Sequence, residues 1–298
     1  MNYLDVDRIT KSFDTFTAVN QASFSVPEGA IYGLLGPNGA GKTTTMRMIM
    51  NIIIPDSGKI AIFGESFKES HKNRIGYLPE ERGLYSKMKL LPHLQFFGEL
   101  RGITASTSKK IATEWLERFD LIEWADKKIQ DLSKGMQQKV QFIGIILHQP
   151  DLLIIDEPFS GLDPINTKFL IDILLGFKAQ GKAIVLSTHL MDQAEKLCEG
   201  ICLINRGEVV LAGDLASIKK KYGRNSVILE YKGAAEFIHK IPGVKGADNY
   251  GNYMEIQLQN QADPDLVLKA VANSSLKISK FEVSESSLND IFIDLVGR

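Results

Sequence analysis

Cysteine is scarce: two, Cys198 and Cys202, in 298 residues. That number builds no disulfide framework and leaves no second ligand pair for zinc, so a reducing compartment and core positions are expected for both thiols. Neither sign of charge is in excess, with 35 Lys and Arg against 36 Asp and Glu and a formal net charge of −1. A chain built to coat nucleic acid would show a strongly basic face, so no nucleic-acid partner is expected. The one compact basic run, Lys219-Lys220-Lys221, fits a solvated helix end. No stretch reaches the roughly 18 uninterrupted apolar residues of a membrane span. The start, Met-Asn-Tyr-Leu-Asp-Val-Asp, lacks the basic-then-apolar order of a signal peptide. No internal repeat or low-complexity segment is evident. These absences point to a soluble cytoplasmic protein, still able to dock on a membrane protein. With 44% apolar residues the chain is long enough for one large core or two.

What the chain does have is a glycine-rich run followed by lysine and threonine: Gly36-Pro37-Asn38-Gly39-Ala40-Gly41-Lys42-Thr43-Thr44. It matches G-x-x-x-x-G-K-[ST], follows an apolar strand-like run (Ala30 to Leu35) and opens a helical one (Thr43 to Ile52). Glycines let the backbone curl so that its N–H groups converge on phosphate oxygens, and the following helix adds the positive end of its dipole. Lys42 would reach the β and γ phosphates as a point charge, and the Thr43 hydroxyl would ligate Mg²⁺. The expected ligands are therefore a nucleoside triphosphate and Mg²⁺.

Apolar runs alternate with helical-period segments over the first two hundred residues. Strands are expected at Ile31–Leu35, Lys59–Phe63, Ile75–Leu78, Leu152–Ile155, Ala183–Ser187 and Ile201–Ile204. Helices are expected at Thr43–Ile52, Leu91–Arg101, Lys109–Phe119, Gly135–Leu147, Ile165–Lys178 and Met191–Cys198. This alternation predicts an α/β fold with mainly parallel pairing. From about residue 80 to 150 it breaks into helix after helix, an inserted helical subdomain. A hairpin around Arg206-Gly207 closes the domain at residue 214. Residues 215–298 form a small separate α+β domain behind a short helix, Leu215–Tyr222. Its strands are expected at Val227–Tyr231, Tyr253–Leu258 and Lys277–Val283, its helices near Ala234–Lys240, Asp265–Ala272 and Ser287–Leu295.

A second chemical signal lies downstream. Leu152-Leu153-Ile154-Ile155 ends in Asp156-Glu157, two acids at the carboxyl end of a central strand, where ligands bind in open α/β sheets. Asp156 can hold Mg²⁺ opposite Thr43, and Glu157 can polarise the water that attacks the γ phosphate.

Leu132-Ser133-Lys134-Gly135-Met136-Gln137 resembles the signature motif of ATP-binding-cassette (ABC) ATPases. Ser160-Gly161-Leu162-Asp163 resembles the family's D-loop and Ser187-Thr188-His189 its switch histidine. The resemblance covers roughly Leu4 to Asp214 and implies a P-loop NTPase fold. It implies that Ser133 and Gly135 meet the γ phosphate held by an opposite protomer, and that Asp163 of the D-loop is among the nucleotide-binding residues. It also implies that His189 hydrogen-bonds the γ phosphate and the attacking water. The sequence departs from the motif at Lys134, where the family has glycine, and at Met136, where it has glutamine. Where the family places a glutamine that touches Mg²⁺, Glu80 stands here, and a carboxylate can still ligate that cation. The aromatic that stacks on adenine is best matched by Phe13, with Phe16 as competitor; a core position is the alternative for either. The segment Leu90 to Gly102 serves the subdomain core, a groove for a membrane subunit's coupling helix, or both on two faces.

By this resemblance the chain is the ATP-hydrolysing subunit of a membrane transporter, closest to bacterial efflux and sodium-extrusion systems. The closing Ser287-Leu288-Asn289-Asp290-Ile291-Phe292 is similar to the end of those subunits. The implied partners are a second copy and separate membrane-spanning permease subunits, which puts the protein on the cytoplasmic face of the membrane. The alternative is a soluble cassette ATPase of DNA repair or translation. Repair types carry long coiled coils and translation types two cassettes in one chain, and neither is present.

Overall fold

The computed structural model describes residues 1–80, 83–222, 225–259, 263–285 and 287–296. It divides into two compact units, Met1–Asp214 and Leu215–Arg298. The first unit begins with β1 (Asn2–Phe13), β2 (Phe16–Pro27), β3 (Ile31–Leu35), α1 (Lys42–Ile49), β4 (Ser57–Ile62), β5 (Glu65–Ser66) and β6 (Ile75–Leu78). Three helices follow: α2 (Leu90–Leu100), α3 (Ala105–Arg118) and α4 (Lys134–Ile146). Then come β7 (Leu152–Asp156), α5 (Pro164–Ala179), β8 (Ala183–Thr188), α6 (Met191–Leu197), β9 (Gly200–Asn205) and β10 (Glu208–Asp214).

These strands form one ten-stranded sheet in the order β5-β4-β1-β2-β10-β9-β3-β8-β7-β6. The run β9-β3-β8-β7-β6 is parallel throughout. Its central strands β3, β7 and β8 are buried along their whole length, which is why they read as unbroken apolar runs rather than alternating ones. Each fully buried Leu or Ile there contributes about 2 kcal/mol.

Mainly parallel pairing therefore describes only half of the sheet. The other half rests on β1 and β2, a long antiparallel hairpin that the sequence pattern does not announce. Both strands carry a bulged residue in the left-handed region, Arg8 at φ 46° and Gln21 at φ 47°, with register shifts beside Arg8. Each bulge flips the inward–outward alternation, so neither strand shows a clean period of two. The β9–β10 hairpin forms as expected: Arg206 and Gly207 both have positive φ, the geometry of the two-residue turn that matches strand twist.

β6 and β7 are parallel neighbours although α2, α3 and α4 lie between them in sequence. On α2, Leu90, His93, Leu94 and Gly98 recur at helical spacing and are buried. Gly98 allows α3 to close in, because a Cβ there would lie 2.1 Å from Ser108 Oγ. The exposed Tyr85 ring sits 5.8 Å from both His93 and Phe96, so this neighbourhood carries a core face and an aromatic surface together. At the opposite end of the parallel strands, Asp151 pairs with Arg74 and Lys182, both at 2.7 Å, joining the starts of β6, β7 and β8. Cys198 and Cys202 are buried, and burial pushes both thiols up to about 12.

The second unit contains α7 (Leu215–Tyr222), β11 (Asn225–Lys232), β12 (Val244–Asn249), β13 (Met254–Leu258), α8 (Pro264–Ala272), β14 (Lys277–Glu285) and α9 (Leu288–Val296). Its antiparallel sheet, ordered β12-β13-β11-β14, packs Val227, Leu229, Met254 and Ile256 with Val267 and Val271 of α8 in a core of its own. One expectation fails here, and one element is absent from the sequence reading. Residues Glu236–Lys240 make a 3-10 turn, not an α-helix. The edge strand β12 was not expected, since Val244-Lys245-Gly246-Ala247-Asp248-Asn249 is half polar and carries a glycine.

Two histidines of the helical insertion are enclosed as neutral rings. His93 and His148 each leave Nδ1 buried without a partner, and burial lowers each pKa to about 4. Between pH 6.5 and 4 the unfolded chain then binds more protons than the folded one. The stability these rings allow is present above pH 6.5 and is lost as pH falls toward 4, on the order of 2 kcal/mol per ring. Melting temperatures measured from pH 7 to 4.5 should fall less steeply in a His93→Leu, His148→Leu double variant than in the parent. Equal slopes would contradict the assignment.

Candidate active site

The glycine-rich loop joins β3 to α1 and is wedged between two strands. A Cβ on Gly36 would lie 2.0 Å from the Ile204 carbonyl oxygen, and one on Gly41 would lie 2.3 Å from that of Ala18. Both positions therefore admit only glycine. Gly39 has φ 77° and open space around it, so backbone conformation rather than crowding selects glycine there. Gly207 N donates to Ala40 O at 2.9 Å, so the β9–β10 turn props the loop from outside. The loop then enters α1, whose first residue, Lys42, is only 5% exposed. Lys42 Nζ donates to Gly36 O at 2.8 Å and Pro37 O at 3.1 Å and lies 3.4 Å from Glu157 Oε1.

The carboxyl end of β7 supplies the acids. Parallel pairing of β7 with β8 sets Asp156 opposite Ser187. Asp156 is buried; Ser187 Oγ donates to its Oδ1, while Oδ2 has no hydrogen-bond partner. Glu157 follows at φ 47°, a left-handed conformation unusual for this residue, and its N–H donates to Ser187 Oγ at 2.9 Å. Glu157 Oε2 lies 3.0 Å from His189 Nδ1, and Oε1 holds its ion-pair distance to Lys42 without hydrogen-bond geometry. An orphaned, buried carboxylate oxygen beside a threonine-bearing loop suits a hard divalent cation, which takes oxygen ligands.

A cleft of about 450 Å³ opens over the loop. It is lined by Asn38, Gly39, Ala40, Gly41, Lys42, Thr43 and Thr44, by Glu157 and Glu80, and at its mouth by Phe13 and Phe16. The two phenylalanines pair across the turn between β1 and β2 and are 45% and 55% exposed, so neither is a core residue. Gly36 and Pro37 meet Lys42 through their carbonyls. Asp156 and His189 join the cluster through Ser187 and Glu157.

Ser133, Gly135 and Asp163 do not line this cleft. Ser133 caps α4, its Oγ accepting from Met136 N at 3.3 Å. Asp163 caps α5, accepting from Ile165 N and Asn166 N with Pro164 at the first helical position. Ser133 and Asp163 are exposed. Sequence reasoning passed over two contributors. Ser187 was noted only as a neighbour of His189, and Ala18, whose carbonyl forces Gly41, lies in the unrecognised hairpin.

Residues 19–160 match the ABC transporter family, and residues 213–296 match the domain described as "ATP-binding protein DrrA1-3-like, C-terminal domain". The chain is 40% identical to the ABC transporter ATP-binding protein YhaQ of Bacillus subtilis, over 99% of this chain and 98% of that protein. It is 31% identical to the linearmycin resistance ATP-binding protein LnrL of the same organism, over 99% and 98%. Among solved structures, an ATP-binding subunit of an ABC transporter superposes with TM-score 0.69 at 31% identity, over 74% of this chain and 93% of that one. A dimeric ATP-binding cassette, MJ0796, in a post-hydrolysis state with ADP and phosphate has the same fold, with TM-score 0.66 at 22% identity over 71% and 98%. Among the described residues no helix is long and apolar enough to cross a membrane. A phosphate loop, two strand-end acids and a matching C-terminal domain thus go together with near full-length relatives, and the chain belongs to the family of ABC transporter ATP-binding subunits.

Proposed function

We propose that this chain hydrolyses Mg-ATP as one half of a homodimer and couples that hydrolysis to export through separate membrane-spanning subunits at the cytoplasmic face. The observation that carries the catalytic part is the meeting of Lys42 and Glu157 at 3.4 Å on the floor of the cleft, with the free Asp156 Oδ2 belonging to the adjacent residue. Export is favoured because LnrL, a resistance protein, matches over nearly its whole length.

In this reading the loop N–H groups and Lys42 cradle the phosphates, and Phe13, with Phe16 beside it, offers a ring face to the base. A bound Mg²⁺ would neutralise charge on the phosphate oxygens, with Thr43, Asp156 and Glu80 as its hard oxygen ligands. Glu157 accepts the proton of the attacking water. His189 holds Glu157 Oε2, which leaves Oε1 to face the water once phosphate oxygens occupy the donors of Lys42. Ser133 and Asp163 are exposed and Gly135 is half-buried beside Ser133; the three complete the site of the opposing copy.

Two experiments test this. Glu157→Gln should retain ATP affinity while turnover falls by about a hundredfold or more, and an ATP-bound dimer should accumulate on size-exclusion chromatography. Turnover near that of the parent removes Glu157 from the role of base. For the shared site, Ser133→Arg and Lys42→Ala proteins should each be inactive alone. Mixed, they should regain activity, because one of the two composite sites is then intact. No gain on mixing, at concentrations where dimers form, refutes a signature acting across the interface.

A further inference from the structure

We infer that Ser187 is a positioning residue for hydrolysis, a single hydroxyl that fixes the carboxylate of Asp156 and the backbone of Glu157 at once. The inference rests on the reading of this cleft as an ATPase site. Ser187 is fully buried at the end of β8, and the parallel register places it beside Asp156. Its hydrogen goes to Asp156 Oδ1, and its lone pair receives the Glu157 N–H at 2.9 Å. Both valences of the hydroxyl are thus directed, and each has a consequence.

Engaging Oδ1 leaves Oδ2 as the one unpartnered oxygen of Asp156, so the carboxylate presents a defined lone pair rather than rotating between equivalent states. Anchoring the Glu157 N–H holds that residue at φ 47°, a conformation it would not adopt without an external tie. The side chain then projects where it meets both Lys42 and His189. The next residue works the same way: Thr188 Oγ1 accepts from Leu190 N at 3.0 Å and shapes the turn that carries His189. Metal-side and water-side carboxylates are therefore set by one group, and displacing either disturbs the other.

The test uses the full chain. Ser187→Ala should lower kcat by about tenfold or more with KM for ATP changed less than about twofold. The Mg²⁺ concentration for half-maximal hydrolysis should rise, and Mn²⁺ bound to the ATP complex, read by electron paramagnetic resonance, should be held about fivefold more weakly. Ser187→Thr, which keeps the hydroxyl, should recover most of kcat and metal affinity. A purely packing role predicts a lower melting temperature with metal affinity and kcat intact, and that result overturns the inference. So does equal impairment of folded Ala and Thr variants. Should the Thr methyl prevent folding, the metal affinity of Ser187→Ala decides alone. Absence of Mg-dependent ATP hydrolysis in the parent protein would instead refute the ATPase reading itself.

Discussion

The phosphate loop is pressed against its own sheet with no room for a side chain at either end, and the site depends on that fit. Gly36 lies against the Ile204 carbonyl and Gly41 against that of Ala18, both too close for any side chain. The loop is therefore held by β9 on one side and β2 on the other, and each side was secured by a separate device. The left-handed pair Arg206-Gly207 turns β10 back so that Gly207 can reach Ala40. The bulged hairpin brings β2 beside β10, where Asn20 meets Gly207 and Glu208. A loop clamped in this way keeps its N–H groups aimed without help from ligand, which is the preorganisation that electrostatic catalysis of phosphoryl transfer requires.

The same logic governs the acids. The carboxyl ends of the parallel strands lie side by side, so β7 and β8 deliver Asp156, Glu157, Ser187 and His189 to one place. Asp151, Arg74 and Lys182 tie the opposite ends of those strands. A register slip of one residue would turn Asp156 into the other face and bring Ser187 out of reach. Close packing against both faces of β7 and β8, and the Asp151 pairs with Arg74 and Lys182 at their far ends, oppose such a slip. The geometry of the cleft is in this sense a property of the core.

Legibility in the sequence followed the same physics. The phosphate loop, Asp156-Glu157 and the buried parallel strands were visible because their chemistry is local: a fixed spacing, or an apolar run with nothing to interrupt it. The β1–β2 hairpin was not, because Arg8 and Gln21 break the alternation that marks a half-buried strand. Ser187 was invisible as a functional group for a different reason. A lone serine in a strand gains meaning only from the residue opposite, and strand pairing between positions 156 and 187 is not written in either segment. Phe13 and Phe16 were ambiguous between core and mouth for the same cause, since exposure depends on where the missed hairpin ends.

The departures from the family signature bear on what the surface half of the site can still do. Ser133 Oγ already accepts a hydrogen bond from Met136 N as the cap of α4. Its own hydrogen is not consumed by accepting, so the hydroxyl remains able to donate to an anion. Gln137, one residue past the position where the family has its glutamine, folds back to Ile129 O and Leu132 O and shapes the approach to the cap. Lys134 replaces a glycine in the first turn and is exposed. A cation there opposes the helix dipole, which disfavours positive charge at an N-terminus. In the proposed site it would add attraction for phosphate at a small cost in helix stability, while Gly135 keeps the adjacent backbone unobstructed, with nothing within 4 Å of where a Cβ would stand. In the shared site proposed above, the altered signature would exchange a side-chain amide for a positive charge, a change in the kind of anion contact rather than its removal.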